Sequence, residues 1–376
     1  MTTRLRRSLP EAALAGALFL ACFVAVHHWF WARGNIVDWP SYQQYGRAIV
    51  DQGQVPYRDF AVEYPPGALP VFILPTAFAD YPSAFANLMA VCGVLLAVVV
   101  AVIDRRAGLY AALAPVLVGS LILSRFDLWP ALLLCVALLA LLEGRDGLGW
   151  AFLGAAVAAK LWPFVVVPPA LVWSLRRRRP RAPLAGLAVA GAAFVPFAAI
   201  APHGLWSSLH GQADRPLQIE SLGASLLAVV GHPHVTTSHG SQNIVGHGLL
   251  AALFAVVQVV AVIVCWLEFA RGPATRERLL TFSAAAVCAF VAFGKVLSPQ
   301  FMLWLIPLVP LVARGRRLPA LALLTAACVL TQVWFPIRYF GYAESFHLAG
   351  VVLARDLVLV VLFVVLAWPL SPPARE

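Results

Sequence analysis

Charged residues are scarce in this sequence: they make up 12% of the 376 residues, whereas 61% are hydrophobic. A soluble domain typically carries about 25% charged residues. So few charges could not cover the surface of a water-soluble protein of this length, which excludes a pair of ordinary soluble domains. The composition predicts instead a single integral membrane domain over residues 1–376.

Several chemical signatures are also missing. The six cysteines all lie in apolar segments without a Cys-x-x-Cys pair, so we interpret them as small buried side chains, with neither a disulfide framework nor a zinc site. No Walker loop is present, and a soluble nucleotide cofactor is therefore not expected. The net charge of +10 could suggest nucleic acid, but the arginines form short clusters between apolar segments, which is typical of membrane topology, and no nucleic-acid partner is expected.

The long apolar segments predict an all-α, polytopic transmembrane helical bundle. Several segments are shorter than the roughly 20 residues that a straight spanning helix needs, so we expect about 10–12 spans. The first segment follows a basic N-terminus like that of a signal peptide, but the many later segments favour an uncleaved first helix. The apolar segments are 10–31, 83–103, 107–123, 128–142, 147–160, 161–175, 183–201, 247–269, 279–294, 298–313, 318–337 and 347–370.

The placement of the cations predicts the orientation. If the N-terminus is cytoplasmic and the segments alternate, 18 of the 27 Lys and Arg residues fall on the cytoplasmic side, eight fall outside, and Arg355 lies within the last span. This asymmetry satisfies the positive-inside rule. Two long loops, 32–82 and 202–246, then lie outside the cytoplasm, and loops this long are usually functional. Within the first, residues 67–80 are interrupted by prolines and predict an interfacial or re-entrant helix.

The first outer loop contains the candidate catalytic acid. Asp38 lies just beyond the first helix, at the expected membrane–water boundary, where a carboxylate could accept a proton from an incoming hydroxyl. The alternative interpretation is a solvated loop carboxylate, the usual fate of such a residue.

A second set of candidates is cationic. A cation at membrane depth costs roughly 3 kcal/mol or more unless it has a partner. Arg125 and Arg355 each have an acid close by in the sequence, Asp127 and Asp356, so internal ion pairs are one interpretation. Lys160 and Lys295 have no adjacent acid, which favours a functional anion. Phosphate is the natural candidate.

The second outer loop contains Arg215, Gln218 and Glu220, which offer the groups that usually hold sugar hydroxyls. An amphipathic surface helix over residues 214–221 is an equal alternative. The nearby His232, His234 and His239 lie in a Gly- and Pro-containing stretch, and no metal is expected there. Tryptophans near segment ends fit an interfacial aromatic belt without catalytic meaning: Trp29, Trp31, Trp129, Trp173, Trp206, Trp304 and Trp368.

These motifs, in this order, resemble glycosyltransferase family 87. The similarity covers most of the chain, and the motifs are fairly specific as a set although each is weak alone. The matching residues are Asp38, Gly53-x-x-Pro56-Tyr57-x-Asp59-Phe60-x-x-Glu63-Tyr64-Pro65-Pro66-Gly67, Arg125-x-Asp127, Lys160-x-x-Pro163, Arg215-x-x-Gln218-x-Glu220-Ser221 and Lys295-Val296-Leu297-Ser298-Pro299-Gln300.

The resemblance implies a GT-C fold and a membrane glycosyltransferase that uses a polyprenyl-phosphate-linked sugar on the outer face of the cell membrane. Mannose or arabinofuranose would be transferred to a glycan or glycolipid acceptor by an inverting hexosyl- or pentosyltransferase without a cofactor. Asp38 matches the catalytic acid position of the family. The expected substrate-binding residues are Glu63, Tyr64, Arg125, Asp127, Lys160, Arg215, Gln218, Glu220, Lys295, Gln300 and Arg355.

The main alternative is a transporter or flippase of lipid-linked sugars. Transporters place ionisable residues near the bilayer midplane, in repeated halves of the chain. Here the polar groups gather on one side and the sequence shows no halved symmetry. A structural scaffold, a third possibility, gives no reason for Lys160 and Lys295. The glycosyltransferase interpretation is therefore favoured.

Overall fold

The structure, a computed structural model, describes residues 3–30 and 37–368 and is mainly helical. Short 3₁₀ turns at Pro66–Ala68 and Leu74–Ala77 flank the third helix. The helices of the N-terminal part are α1 (Thr3–Phe30), α2 (Trp39–Val50), α3 (Leu69–Ile73), α4 (Tyr81–Ile103), α5 (Arg105–Ala111), α6 (Ala114–Val118), α7 (Leu121–Ser124), α8 (Leu128–Leu142) and α9 (Asp146–Ala159).

The C-terminal part adds ten helices, three short strands and further 3₁₀ turns at Trp162–Val166, Pro299–Phe301 and Val309–Leu311. In chain order its elements are α10 (Val167–Arg176), α11 (Pro183–Ile200), α12 (Pro202–Ala213), β1 (Leu217–Gln218), α13 (Leu222–Val230), β2 (Val235–Ser238), β3 (Ser241–Ile244), α14 (Gly248–Arg271), α15 (Arg276–Ala292), α16 (Met302–Leu305), α17 (Arg314–Trp334), α18 (Tyr339–Ser345) and α19 (Ala349–Ala367).

Six of the described helices are long and apolar enough to cross a bilayer: α1, α4, α11, α14, α17 and α19. The prediction of a multi-pass helical membrane protein is therefore confirmed. Other apolar segments form shorter helices, such as α8 and α9. Segment 107–123 is divided, since Gly119 has a φ of +59° and ends α6. Prolines likewise break Pro66–Ala77 into short helical pieces, as the sequence predicted.

Small residues bring the helices close together. A Cβ atom at Gly154 of α9 would lie 2.3 Å from the carbonyl oxygen of Gly186 in α11, so these two backbones are in direct contact. Gly93 of α4 similarly makes room for the ring of Phe19 in α1. Such small-residue contacts are the usual way for membrane helices to associate, because in lipid the burial of apolar surface contributes little to helix association.

The loops that the cation pattern assigned to the cytoplasm meet at one end of the bundle. Arg317 and Asp104 form a two-pronged ion pair with a shortest distance of 3.0 Å. Arg276 lies 3.8 Å from Glu143, and Arg316 donates to the carbonyl of Leu366 near the end of α19 at 2.9 Å. The arginine-rich connections therefore form one polar layer, separate from the end that holds residues 37–82 and 202–246.

The second long loop contains a small antiparallel sheet that the all-α prediction did not include. Its strand order is β1-β3-β2, with Leu217 opposite Ile244 and Ser238 opposite Ser241. His239 and Gly240 connect β2 and β3 with φ angles of +51° and +65°, as a tight type I′ hairpin requires. The alternative of a surface helix over residues 214–221 is wrong, because this stretch passes through β1.

Candidate active site

Asp38 lies immediately before α2 and has a cationic partner from a distant segment. One carboxylate oxygen, Oδ2, contacts the Arg125 guanidinium and accepts a hydrogen bond from the Tyr42 hydroxyl at 3.3 Å. The Asp38 side chain is 30% exposed, while Arg125 is 8% exposed. One interpretation of the sequence paired Arg125 with Asp127 in its own turn. The structure corrects this expectation, since Arg125 reaches across to the candidate base and fixes its direction.

An aromatic cluster holds this pair in place. Tyr42 is stacked on Phe72 with ring centroids 4.5 Å apart, and its ring edge meets Phe126 at 5.6 Å. Tyr64 packs on Phe126 at 4.9 Å. These rings join α2, the Pro66–Ala77 segment and the turn before α8. Their packing restricts the movement of Asp38 and Arg125, which lie on these elements.

Lys160 follows α9 and binds Asp127, which lies 33 residues earlier in the chain. Its ammonium is 2.7 Å from Asp127 Oδ1, and the same oxygen accepts a 2.6 Å hydrogen bond from the Trp304 indole. The sequence offers Lys160 no adjacent acid, but the structure brings Asp127 to it from a distant segment. Trp304 was also misplaced by the sequence, since it is 2% exposed and lies in the site rather than in an interfacial belt.

Further cations converge on Lys160. Arg125 and Arg215 lie within electrostatic range of its ammonium, and Arg215 is also in range of Lys295. Burial lowers the pKa of Lys295 from its ordinary value. Four segments far apart in sequence therefore bring positive charge into one connected set that includes Arg125, the partner of Asp38, and that also contains the carboxylates of Asp127 and Asp214. Like charges repel, and their collection at one place is typical of a site that binds an anion such as phosphate.

The second long loop closes over this region. The Arg215 guanidinium binds the His239 carbonyl at 3.2 Å and the Ser241 hydroxyl at 2.8 Å, which ties it to the hairpin. Gln212 donates to the main-chain carbonyl of Glu63 at 3.3 Å. Glu63 itself is exposed, and the hairpin glycine Gly240 approaches its carboxylate. The two long loops are thus joined at the end of the bundle that carries Asp38.

Gln218 links the loop to the 295–300 motif. Its main-chain N–H donates to the Lys295 carbonyl at 2.9 Å, and its side-chain amide binds the Ser298 hydroxyl at 3.0 Å. Gln300 follows in the 3₁₀ turn Pro299–Phe301, where it is half-buried between two buried residues. The Gln218 side chain is 2% exposed, so in this structure its role is to hold the two motifs together.

Glu220 and Arg355 are buried side chains near this group of residues. Arg355 is completely buried, pairs with Asp356 at 2.7 Å and donates to the main-chain carbonyl of Glu220 at 2.7 Å. The internal pair considered from the sequence is therefore present, and in this arrangement Arg355 has no exposed surface. Burial raises the pKa of Glu220 to about 8, although Arg355 and Arg215 act in the opposite direction.

The predicted substrate-binding residues thus fall into two groups. Those that are at least partly exposed are Glu63, Tyr64, Lys160, Arg215, Lys295 and Gln300, and the ring of Tyr64 lies 5.8 Å from the Lys160 ammonium. Arg125, Asp127, Gln218, Glu220 and Arg355 are more than nine-tenths buried. Sequence reasoning gave no role in the site to Tyr42 and Trp304, which lie outside the motifs, or to Ser298, which lies within the 295–300 motif.

Metal ligation is not indicated by the geometry. Within residues 3–30 and 37–368, no three His, Cys, Asp or Glu side chains are grouped so that they could hold a metal ion. His232, His234 and His239 lie around the hairpin without forming such a group. The arrangement instead offers one carboxylate, fixed by a guanidinium, beside several cations. Such a set can accept a proton and stabilise a departing anion.

The fold and the site together define a class of protein. It is a helical membrane protein with a carboxylate and a cluster of cations at one end of its helix bundle. The model of glycosyltransferase family 87 matches residues 62–299. The chain therefore belongs to glycosyltransferase family 87 and is a membrane glycosyltransferase. The match begins after Asp38, so the role of Asp38 depends on its geometry and on the similarity of the first loop.

One solved structure is similar over nearly the whole chain. It is the crystal structure of ArnT from Cupriavidus metallidurans bound to undecaprenyl phosphate, with a TM-score of 0.50 and 17% sequence identity over 93% of this chain and 76% of that chain. At this identity the similarity shows the fold, which is the GT-C fold predicted from the sequence. No protein of curated function matches the sequence.

Proposed function

We propose that this protein transfers a sugar from a polyprenyl-phosphate carrier to a hydroxyl acceptor on the outer side of the membrane. The observation that carries the proposal is the ion pair of Asp38 with Arg125, together with Lys160 in electrostatic range of Arg125 and Arg215, and Lys295 in range of Arg215. A lipid-linked donor is further supported by the GT-C neighbour, whose structure contains undecaprenyl phosphate. The cation asymmetry of the loops supports the outer side.

The chemistry is a direct displacement. The acceptor hydroxyl gives its proton to Asp38 and forms a new bond to the anomeric carbon. The bond from that carbon to the phosphate oxygen breaks, and polyprenyl phosphate leaves with the electron pair. Cations near the departing phosphate stabilise its developing negative charge. One displacement without a covalent intermediate inverts the anomeric centre.

The geometry supports separate roles for the cations. Arg125 is engaged with Asp38 and orients the general base. Lys160 is 16% exposed at its side chain and sits among the cations that face the open region, which favours contact with the donor phosphate. Arg215 and Lys295 complete the anion site from the second loop and the 295–300 motif. Glu63 is exposed nearby and offers a hydrogen-bond acceptor for sugar hydroxyls.

The donor sugar is expected to be mannose or arabinofuranose, and the acceptor a glycan or glycolipid, as the sequence resemblance implies. The decisive experiment supplies the purified protein in liposomes with a panel of polyprenyl-phosphate sugars and an acceptor mixture. The proposal predicts a glycosylated product and free polyprenyl phosphate for one donor. Movement of intact lipid-linked sugar between leaflets, with no bond cleavage, would instead support the flippase alternative.

A further inference from the structure

The surroundings of Lys160 are unusual for a lysine. Its ammonium lies among three aromatic rings. The ring centroids of Phe126, Trp304 and Tyr64 lie 4.7, 5.4 and 5.8 Å from its nitrogen. A lysine side chain is flexible and its ammonium is strongly hydrated, so it adopts one position only when its surroundings impose it. Contacts over ring faces contribute to such a position.

Asp127 supplies the polar half of these surroundings. Its Oδ1 atom accepts hydrogen bonds from both the Lys160 ammonium and the Trp304 indole, at 2.7 and 2.6 Å. Its Oδ2 atom is buried and has no hydrogen-bond partner in the described part of the chain. The side chain is 1% exposed. A sugar hydroxyl therefore cannot reach Asp127 in this arrangement, although the residue falls in a motif expected to bind substrate.

Trp304 is in turn fixed by its neighbours. Its ring is stacked on Trp162 with centroids 4.8 Å apart and an angle of 8°, and on Phe301 at 3.8 Å. Two stacked rings leave the indole little freedom to rotate, so its N–H has a defined direction toward Asp127. The position of the carboxylate, and through it that of the ammonium, is thereby determined.

The geometry points to Asp127 and Trp304 as positioning residues that hold the Lys160 ammonium ready for the phosphate of the lipid-linked donor. The inference rests on the proposed function and deepens it. Lys160 uses one N–H for Asp127 and keeps the others for an incoming phosphate oxygen. A cation that is already in place binds its anion without first losing conformational freedom, which strengthens donor binding.

One substitution changes anion binding in opposite directions under the two explanations, positioning of Lys160 and simple electrostatics. Asp127→Asn removes a negative charge next to the proposed phosphate site, and by charge alone it should tighten the binding of an anion. If Asp127 instead positions Lys160, the same substitution loosens the ammonium and weakens binding. We expect undecaprenyl phosphate to bind Asp127→Asn on the order of tenfold more weakly than the unchanged protein, because a charge-assisted hydrogen bond to the ammonium becomes a weaker one to a neutral amide oxygen.

Trp304 and Trp162 provide a matched pair of variants. Both indoles are buried and stacked on each other, but the Trp162 N–H has no hydrogen-bond partner among the described residues. Trp304→Phe removes ring area and the hydrogen bond to Asp127, whereas Trp162→Phe removes similar ring area alone. We expect the first to weaken binding about tenfold and the second by less than about threefold.

The test measures binding of undecaprenyl phosphate to each purified full-length variant, followed by KM for donor and acceptor in the transfer assay. The inference predicts weaker binding and a higher donor KM for Asp127→Asn and Trp304→Phe, with an unchanged acceptor KM. Tighter or unchanged binding by Asp127→Asn, or equal losses for the two tryptophan variants, would overturn it. If Lys160→Met weakens binding while Asp127→Asn and Trp304→Phe do not, the positioning role is wrong but the contact between Lys160 and the phosphate stands. If Lys160→Met also binds normally, the proposed phosphate contact is wrong as well.

Discussion

Arg125 contacts the carboxylate of Asp38 rather than that of Asp127, the acid two residues along in its own turn. Asp127 is paired with Lys160 instead, so each acid has a cationic partner from a different segment of the chain. The candidate base is consequently connected to α2 through Tyr42 and to the turn before α8 through Arg125. Asp38 is thus held by two elements of the bundle although it lies in a loop.

The contact between the first long loop and α9 should depend on Gly67. A Cβ atom there would lie 2.5 Å from the backbone carbon of Ala158, two residues before Lys160. We predict that Gly67→Ala lowers stability by about 1–3 kcal/mol, because the helix end must move, and that it reduces transfer activity. Unfolding in detergent and the transfer rate measure the two effects.

Gly147 lies in α9, the helix that Gly67 contacts, and serves as the control for Gly67. An added Cβ at Gly147 meets no atom within 4 Å. Gly147→Ala is therefore expected to leave activity unchanged and to raise stability by up to about 1 kcal/mol, as usual for a glycine in a helix. Equal behaviour of the two variants would show that Gly67 does not set the spacing between the loop and Lys160.

Glu220 should make stability depend on pH. Burial raises its pKa to about 8, so the folded protein retains this proton to a higher pH than the unfolded chain, whose carboxyl has a pKa of about 4.3. Between these values the folded state binds more protons, and stability must fall as pH rises. We predict that Glu220→Gln loses less stability than the unchanged protein between pH 6 and about 9. Identical slopes in thermal unfolding scans would contradict this assignment.

The buried pair Arg355 and Asp356 should be structural. Both side chains are fully buried, and Ser225 also donates to Asp356 at 2.7 Å. Asp356→Asn leaves the guanidinium without its counter-charge, which typically costs about 3–5 kcal/mol. The double variant Arg355→Met with Asp356→Leu removes both charges and is expected to cost less than Asp356→Asn alone. A mild effect of the single change, in a denaturant titration, would argue against an ionic pair.

The orientation can be checked by labelling introduced cysteines in intact cells. Ser41 and Thr237 are replaced at the end that carries Asp38, and Arg177 at the arginine-rich end; none of the three is buried. The native cysteines give little background, since all are buried except the half-buried Cys22. We predict that an impermeant reagent labels the first two positions and spares the third. The reverse pattern would place the site in the cytoplasm.

The long elements were predictable from the sequence because each depends on its own composition. The apolar segment 128–142 coincides with α8, and the proline-broken stretch after Glu63 is broken in the structure as expected. The sheet was not predictable from alternation, since β1 has two residues and the other strands have four.

The pairing of charges could not be predicted from neighbouring positions. Arg125 and Lys160 find their acids 87 and 33 residues away, and such contacts depend on how the helices assemble. Trp304 was assigned to the interface because it lies near a segment end. Its burial follows from the break of segment 298–313 into short pieces, which turns this tryptophan inward toward Asp127. Residues of the family motifs come together in the structure, which separates those that are partly exposed, such as Lys160, from those that are buried, such as Asp127.

The central claim is that Asp38 accepts the proton of the acceptor hydroxyl, and its most direct test is the transfer rate of Asp38→Asn with the donor identified by the panel. The account predicts a loss of about 10²–10⁴-fold, typical for a general base, with donor binding retained. Glu63→Gln, in the same loop, should lower the rate much less. Near-normal turnover by Asp38→Asn together with inactivity of Glu63→Gln would contradict the account and move the catalytic role to Glu63.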